Sequence, residues 1–149
     1  MTKTLCFLST LLLSASIFAA TPKSFKEIES MYNNGSKPDM SKIAETNLQG
    51  GCFTPYSDMI FTNELELQFT RGQKGFDAIY VDQKTGEKTE FHNLIEHNDF
   101  FETQNEKLST EAYFKMGYKQ SNDIVIEKIS MHTNEVKDEF VVNLCFYKL

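Results

Sequence analysis

The feature that most narrows the possible folds is an absence: the 94 residues that follow Pro55 contain no proline. Proline withholds a ladder donor, so its absence permits continuous sheet. The residues present read as strands. Leu65, Leu67 and Phe69 alternate with Glu64, Glu66, Gln68 and Thr70, the period of a half-buried strand. Phe76, Ala78 and Tyr80 alternate with Asp77, Ile79 and Val81. Further β-rich runs follow at 113–118, 124–126 and 140–147.

The intervening residues suit hairpins. Asp82-Gln83-Lys84-Thr85-Gly86 and Arg71-Gly72-Gln73-Lys74-Gly75 each place a glycine where a tight turn needs a positive φ. Asn98-Asp99, Asn105-Glu106, Ser121-Asn122-Asp123 and the stretch 134–138 are further turn signals. About eight strands are expected, beginning near Gly51, Leu65, Phe76, Lys88, Phe100, Glu111, Asp123 and Glu139. That spacing is close to the roughly 8–12 residues of sandwiches and barrels.

The N-terminal part is different. Lys3, the apolar run Leu5–Leu13 and the small residues ending at Ala19 form an export signal, with cleavage after Ala19. The run is far short of the roughly 20 residues that a membrane-spanning helix needs. The sequence therefore divides into a signal at 1–19 and a single exported domain at 20–149, periplasmic or secreted, with no transmembrane segment in the mature chain. Within the domain, 20–48 reads as helical. Ser24-Phe25-Lys26-Glu27 is a capping box, and Phe25, Ile28 and Tyr32 share a helical face. Asn33-Asn34-Gly35 ends that helix, with Gly35 expected in a left-handed conformation. Pro38-Asp39-Met40-Ser41 opens a second short turn with Ile43 inward. Residues 50–149 form the β-barrel or sandwich.

Removal of the signal takes Lys3 and Cys6. It leaves an acidic domain, which disfavours nucleic acid and anionic lipid as partners. Cys52 and Cys145 remain, and two cysteines in an exported chain pair most simply with each other. Cys52 lies on the first expected strand and Cys145 on the last. A bond between them places the end strands side by side, which in an up-and-down meander requires a closed or nearly closed barrel. A sandwich, or an α+β arrangement with an open antiparallel sheet, is the alternative. The expected barrel resembles the calycin-type architecture of lipocalins in topology alone. The Gly-x-Trp signature of that family is missing, because the chain has no tryptophan. Gly51-Cys52-Phe53 stands nearest to it.

Motifs for catalysis are weak. His92 and His97 are five positions apart, a spacing that puts them on opposite faces of a strand and does not match a zinc HExxH helix. No Gly-x-Ser-x-Gly elbow and no phosphate-cradling glycine loop occurs. Glu64 and Glu66 share a strand face, but one that reads as solvated. Asn34-Gly35-Ser36 is a formal glycosylation sequon. No catalytic residue, metal ligand or cofactor is assigned.

The aromatic residues carry more. Most belong to the core, where phenylalanine fills the large sites in the absence of tryptophan. Phe91, Phe100, Phe101, Tyr113 and Phe114 form the candidate ligand-lining cluster. The expected function is non-catalytic binding of a small apolar or amphipathic ligand in the barrel. The alternatives are an inhibitor or interaction module that meets an envelope protein through the loops Gln83–Lys88 and Thr133–Asp138, or an enzyme of undetected type. The ligand, the target and the oligomeric state are not legible.

Overall fold

The computed structural model describes residues 22–55, 57–135 and 138–149. The expected export signal and Cys6 lie outside the described residues. Among the described residues, ten antiparallel strands form one sheet. The first four are β1 (Asn47–Thr54), β2 (Ser57–Arg71), β3 (Phe76–Asp82) and β4 (Lys88–Phe91). Three two-residue strands follow, β5 (Ile95–Glu96), β6 (Phe101–Glu102) and β7 (Glu106–Lys107). Three long strands close the chain: β8 (Ala112–Ser121), β9 (Ile124–Thr133) and β10 (Phe140–Lys148). The spatial order is β4-β3-β2-β1-β10-β9-β8-β6-β5, with β7 also paired to β8.

The first and last long strands are neighbours. Cys52 stands directly opposite Cys145 in the β1–β10 register, and the two form a disulfide. That pair lies in the middle of the sheet. The opening falls between β4 and β5, so the sheet is a strongly curled half-barrel. The reason is local. The region expected to supply one strand near Phe100 is interrupted by polar turn residues, including Asn93 at φ 58°, and yields only two-residue strands. Strands that short cannot carry a ladder across to β4. Aromatic side chains span the interval instead: Phe76 meets Phe101, and Phe91 meets Phe114, each edge-to-face at 6.1 Å between centroids.

Register shifts bend the central strands, between Gly50 and Thr54 in β1 and between Val141 and Asn143 in β10. Such bulges increase local twist and curl a sheet. At Gly50 the two strands approach so closely that a Cβ would lie 1.7 Å from the Phe146 carbonyl oxygen. The turn glycines behave as expected, with Gly75 at φ 145° and Gly86 at φ 75°.

The curl gives the sheet two apolar faces. On the concave side Leu48, Leu67, Phe69, Ala78, Met116, Tyr118, Val125 and Tyr147 are buried together. Met40 and Ile43, from the single helical turn α2 (Met40–Ile43), pack into the same cluster. On the convex side Phe53, Ile124, Ile126, Leu144 and Phe146 are covered by α1 (Phe25–Asn33) through Ile28 and Tyr32. Period-2 alternation thus feeds both layers, which is why β9 and β10 each contain four consecutive buried residues.

Helix α1 begins as the capping box predicts at Ser24, whose side chain accepts from the Glu27 backbone N–H at 3.3 Å. Glu27 reaches back one residue further than the motif implies and accepts from the Lys23 N–H at 2.7 Å. The helix ends at Asn33. Gly35 is not left-handed, contrary to the expectation. Its requirement is space, since a Cβ there would lie 3.0 Å from the carbonyl oxygens of both Gln120 and Met31. Among the described residues no helix is long and apolar enough to cross a membrane.

Candidate functional site

The concave face is not filled to its rim. A cavity of about 430 Å³ opens between the flanks of the half-barrel, within the roughly 300–1,000 Å³ of small-molecule sites. Alternation decides what lines it. β3 and β4 contribute Tyr80, Thr89 and Phe91. β1 and β2 contribute Cys52, Thr54 and Leu65, and β8 supplies Met116. β9 and β10 supply Glu127, Ile129, Asn143, Cys145 and Tyr147. The disulfide therefore forms part of the wall.

Glu127 is the unexpected member. It occupies an inward position of β9, between Val125 and Ile129, and is fully buried. Tyr147 donates a hydrogen bond to its Oε2 at 2.8 Å. Tyr80 donates to Oε1 and is also hydrogen-bonded to the hydroxyl of Tyr118. A buried carboxyl group needs such partners, because it has lost its water. Burial pushes the Glu127 pKa up from 4.5 to about 7, and the tyrosine hydrogen bonds oppose that shift. Burial, followed by the charge of Glu127, holds the hydroxyls of Tyr80 and Tyr147 well above the usual tyrosine range. Tyr118 is raised by the same two causes. All three therefore stay protonated around neutral pH.

A second polar group in the wall is incompletely used. Asn143 Oδ1 is buried and has no hydrogen-bond partner among the described residues. An acceptor left without a partner costs about 1–3 kcal/mol.

The sequence-selected aromatics are dispersed. Phe91 stands in the cavity wall. Phe114 touches it edge-to-face and packs against the concave core. Phe101 is buried in that core against Phe76. Phe100 stacks on His97 at 4.3 Å between centroids, and Tyr113 stacks on His132 at 5.4 Å. Neither Phe100 nor Tyr113 is among the residues lining the cavity.

The histidines at 92 and 97 each stand beside a carboxyl group, although His97 Nε2 is buried and makes no hydrogen bond among the described residues. His92 Nδ1 lies 3.0 Å from Asp77, and His97 Nε2 lies 3.0 Å from Glu102. The hydrogen bond to Asp77 raises the pKa of His92. Asp77 is itself lowered, because its hydrogen bonds from Asn93 and His92 outweigh desolvation. Among the described residues no group of three or more His, Cys, Asp or Glu side chains converges as a metal site would.

Glu127 and its tyrosines escape a search for motifs. A signal for them nevertheless exists. In Ile124-Val125-Ile126-Glu127-Lys128-Ile129 the odd positions face inward, so Glu127 is a charged residue in an apolar stripe. Tyr80 and Tyr147 carry the same parity signal on their own strands, and only the curl of the sheet brings the three together.

Comparison with protein-family models, with curated proteins and with solved structures finds no match to this chain.

Proposed function

We propose that this protein is an exported, non-catalytic binding protein that holds a small amphipathic ligand in the cavity of its half-barrel. The observation that carries this reading is a cavity of about 430 Å³ whose wall is mostly apolar and also includes the polar side chains of Thr89 and Asn143. Ligand sites pair mostly apolar walls with a few oriented polar groups. The disulfide accords with export to an oxidising compartment. Binding also suits the state of the buried acid: both oxygens of Glu127 are already engaged by tyrosine hydroxyls.

Native mass spectrometry of the mature protein, purified from its own envelope fraction, tests the reading. The expected result is a non-covalent adduct that is lost on denaturation. Thr89, exposed on β4 at the cavity wall, provides the control. Thr89→Trp fills the opening and should abolish the adduct while leaving the fold intact. A protein that carries no adduct and takes up no apolar fluorescent probe would overturn the reading.

The second reading is an interaction module that meets an envelope protein. It is favoured by the exposed 83–90 segment, in which the hairpin turn leads into β4, an edge strand paired on one side only among the described residues. An unpaired edge offers a ladder for an added strand. Recovery of a stoichiometric protein partner, lost when Glu90 is replaced by proline, would favour it over the cavity.

A further inference from the structure

The cavity's charge is one-sided. Among the described residues its wall contains no lysine, arginine or histidine, and its sole carboxyl group is Glu127. A carboxylate or phosphate headgroup would thus enter a space with no cation in that wall to receive it and a buried acid behind it. A positive headgroup meets the opposite situation. Tyr80 and Phe91 present aromatic rings, which attract a cation through their faces. Asn143 adds an uncharged carboxamide to the same wall. Glu127 exposes no surface, yet a charge in a poorly polarisable interior acts over several ångströms without contact.

We infer that the ligand is an amphipathic amine, whose protonated headgroup sits against the rings of Tyr80 and Phe91, with Glu127 as its buried counter-charge. The inference rests on the binding function proposed above and specifies its chemistry. The group that would stabilise the cation can also lose its charge. Glu127 is faced by Tyr147 from β10, by Tyr80 from β3 and by Tyr118 from β8. The disulfide on its β1–β10 side does not titrate. None of these groups changes charge around neutral pH, so among the described wall residues Glu127 alone sets the charge of the cavity there. An alkylammonium ion keeps its proton throughout that range. Its affinity should therefore rise with pH as Glu127 ionises, and binding below that point should release a proton from Glu127.

Three probes of ten carbon atoms each provide the test: decylamine, decanol and decanoate, each titrated calorimetrically into the mature protein at pH 5.5 and pH 8. The expected result is that the amine binds at least about tenfold more tightly than the other two at pH 8. This advantage should shrink at pH 5.5, and repeating the titration in buffers of different ionisation enthalpy should detect the released proton. Glu127→Gln keeps the shape and removes the charge. It should weaken the amine about tenfold and leave decanol unchanged. Should that variant fail to fold, the pH series on the unaltered protein decides alone. If decanol or decanoate binds as tightly as the amine at pH 8, or if amine affinity is flat with pH, the amine inference is overturned and the binding function survives. If none of the three binds, both are overturned.

Discussion

The hydroxyl of Tyr147 and the carboxylate of Glu127 lie 2.8 Å apart, diagonally across the β9–β10 pair on the concave face. Both residues are buried, and both belong to strands whose remaining inward residues are mainly apolar. Two polar groups have thus been taken from water and given to each other, at the wall of a cavity large enough for a small organic ligand.

Glu127 makes stability depend on pH in a defined window. Its carboxyl ordinarily titrates at 4.5 and in the folded protein at about 7. The folded state therefore holds the proton more tightly than the unfolded chain. That stabilisation is fully present below pH 4.5 and is lost as pH rises through about 7. Each pH unit between the two values corresponds to roughly 1.4 kcal/mol, so the loss is about 3 kcal/mol. Asp39, Asp77, Asp99 and Glu139 are shifted downwards, so their effect has the opposite sign and belongs to more acid conditions. The expected outcome in urea unfolding is a midpoint that falls between about pH 5 and pH 8. Glu127→Gln should flatten most of that dependence, leaving the smaller contribution of His92, which is raised and has the same sign.

Tyr147→Phe removes one donor to the carboxylate and leaves the ring. A hydrogen bond to a charged group contributes about 1.5–3 kcal/mol. The variant should lose that much at pH 8, where Glu127 is ionised, and less at pH 5. Chemical denaturation at the two values measures the difference. An equal deficit at both would mean that Tyr147 contributes packing alone.

The disulfide closes a loop between residues 93 positions apart. In the chain-entropy account, a loop of that length limits the unfolded ensemble by about 4–5 kcal/mol. Cys52→Ala with Cys145→Ala should lower stability by an amount of that order. Residues 20–149 should also show no free thiol to Ellman's reagent until they are denatured and reduced.

Gly50→Ala should be costly although it adds one methyl group. The new Cβ would meet the Phe146 carbonyl oxygen at 1.7 Å and its carbon at 2.7 Å. Backbone cannot step aside as a flexible side chain can, so β1 must separate from β10 beside the disulfide. The expected loss is about 3 kcal/mol, at the upper end of typical overpacking. Thermal unfolding would detect it, and a change below a tenth of that size would contradict the tight β1–β10 approach.

Much of the architecture is visible before folding is considered. Leu65, Leu67 and Phe69 reveal β2 by alternation, and Ser24 with Glu27 reveals the start of α1. The Cys52–Cys145 pairing predicts that the end strands are neighbours, as they are. The mainly β character was legible because alternation and turn residues are local properties. The place of the sheet's opening was not. Three two-residue strands at 95–107 look like one strand, since a propensity pattern does not show whether a partner ladder is within reach.

The candidate site divides the same way. The order of residues is enough to predict a mainly β domain, a pairing of Cys52 with Cys145 across its first and last strands, and an interior rich in aromatic side chains. It also carries the parity that turns Glu127 inward. Folding in three dimensions was needed to bring Phe91 to the cavity while Phe100 and Tyr113 lie elsewhere. It was needed equally to gather Tyr80, Tyr118 and Tyr147 around one carboxyl group. The physical reason is distance along the chain. Tyr80 and Glu127 are 47 positions apart, and their contact exists because bulges and close backbone approach curl the sheet. The burial that follows raises the Glu127 pKa, and burial is a property of the assembled sheet, not of any one strand.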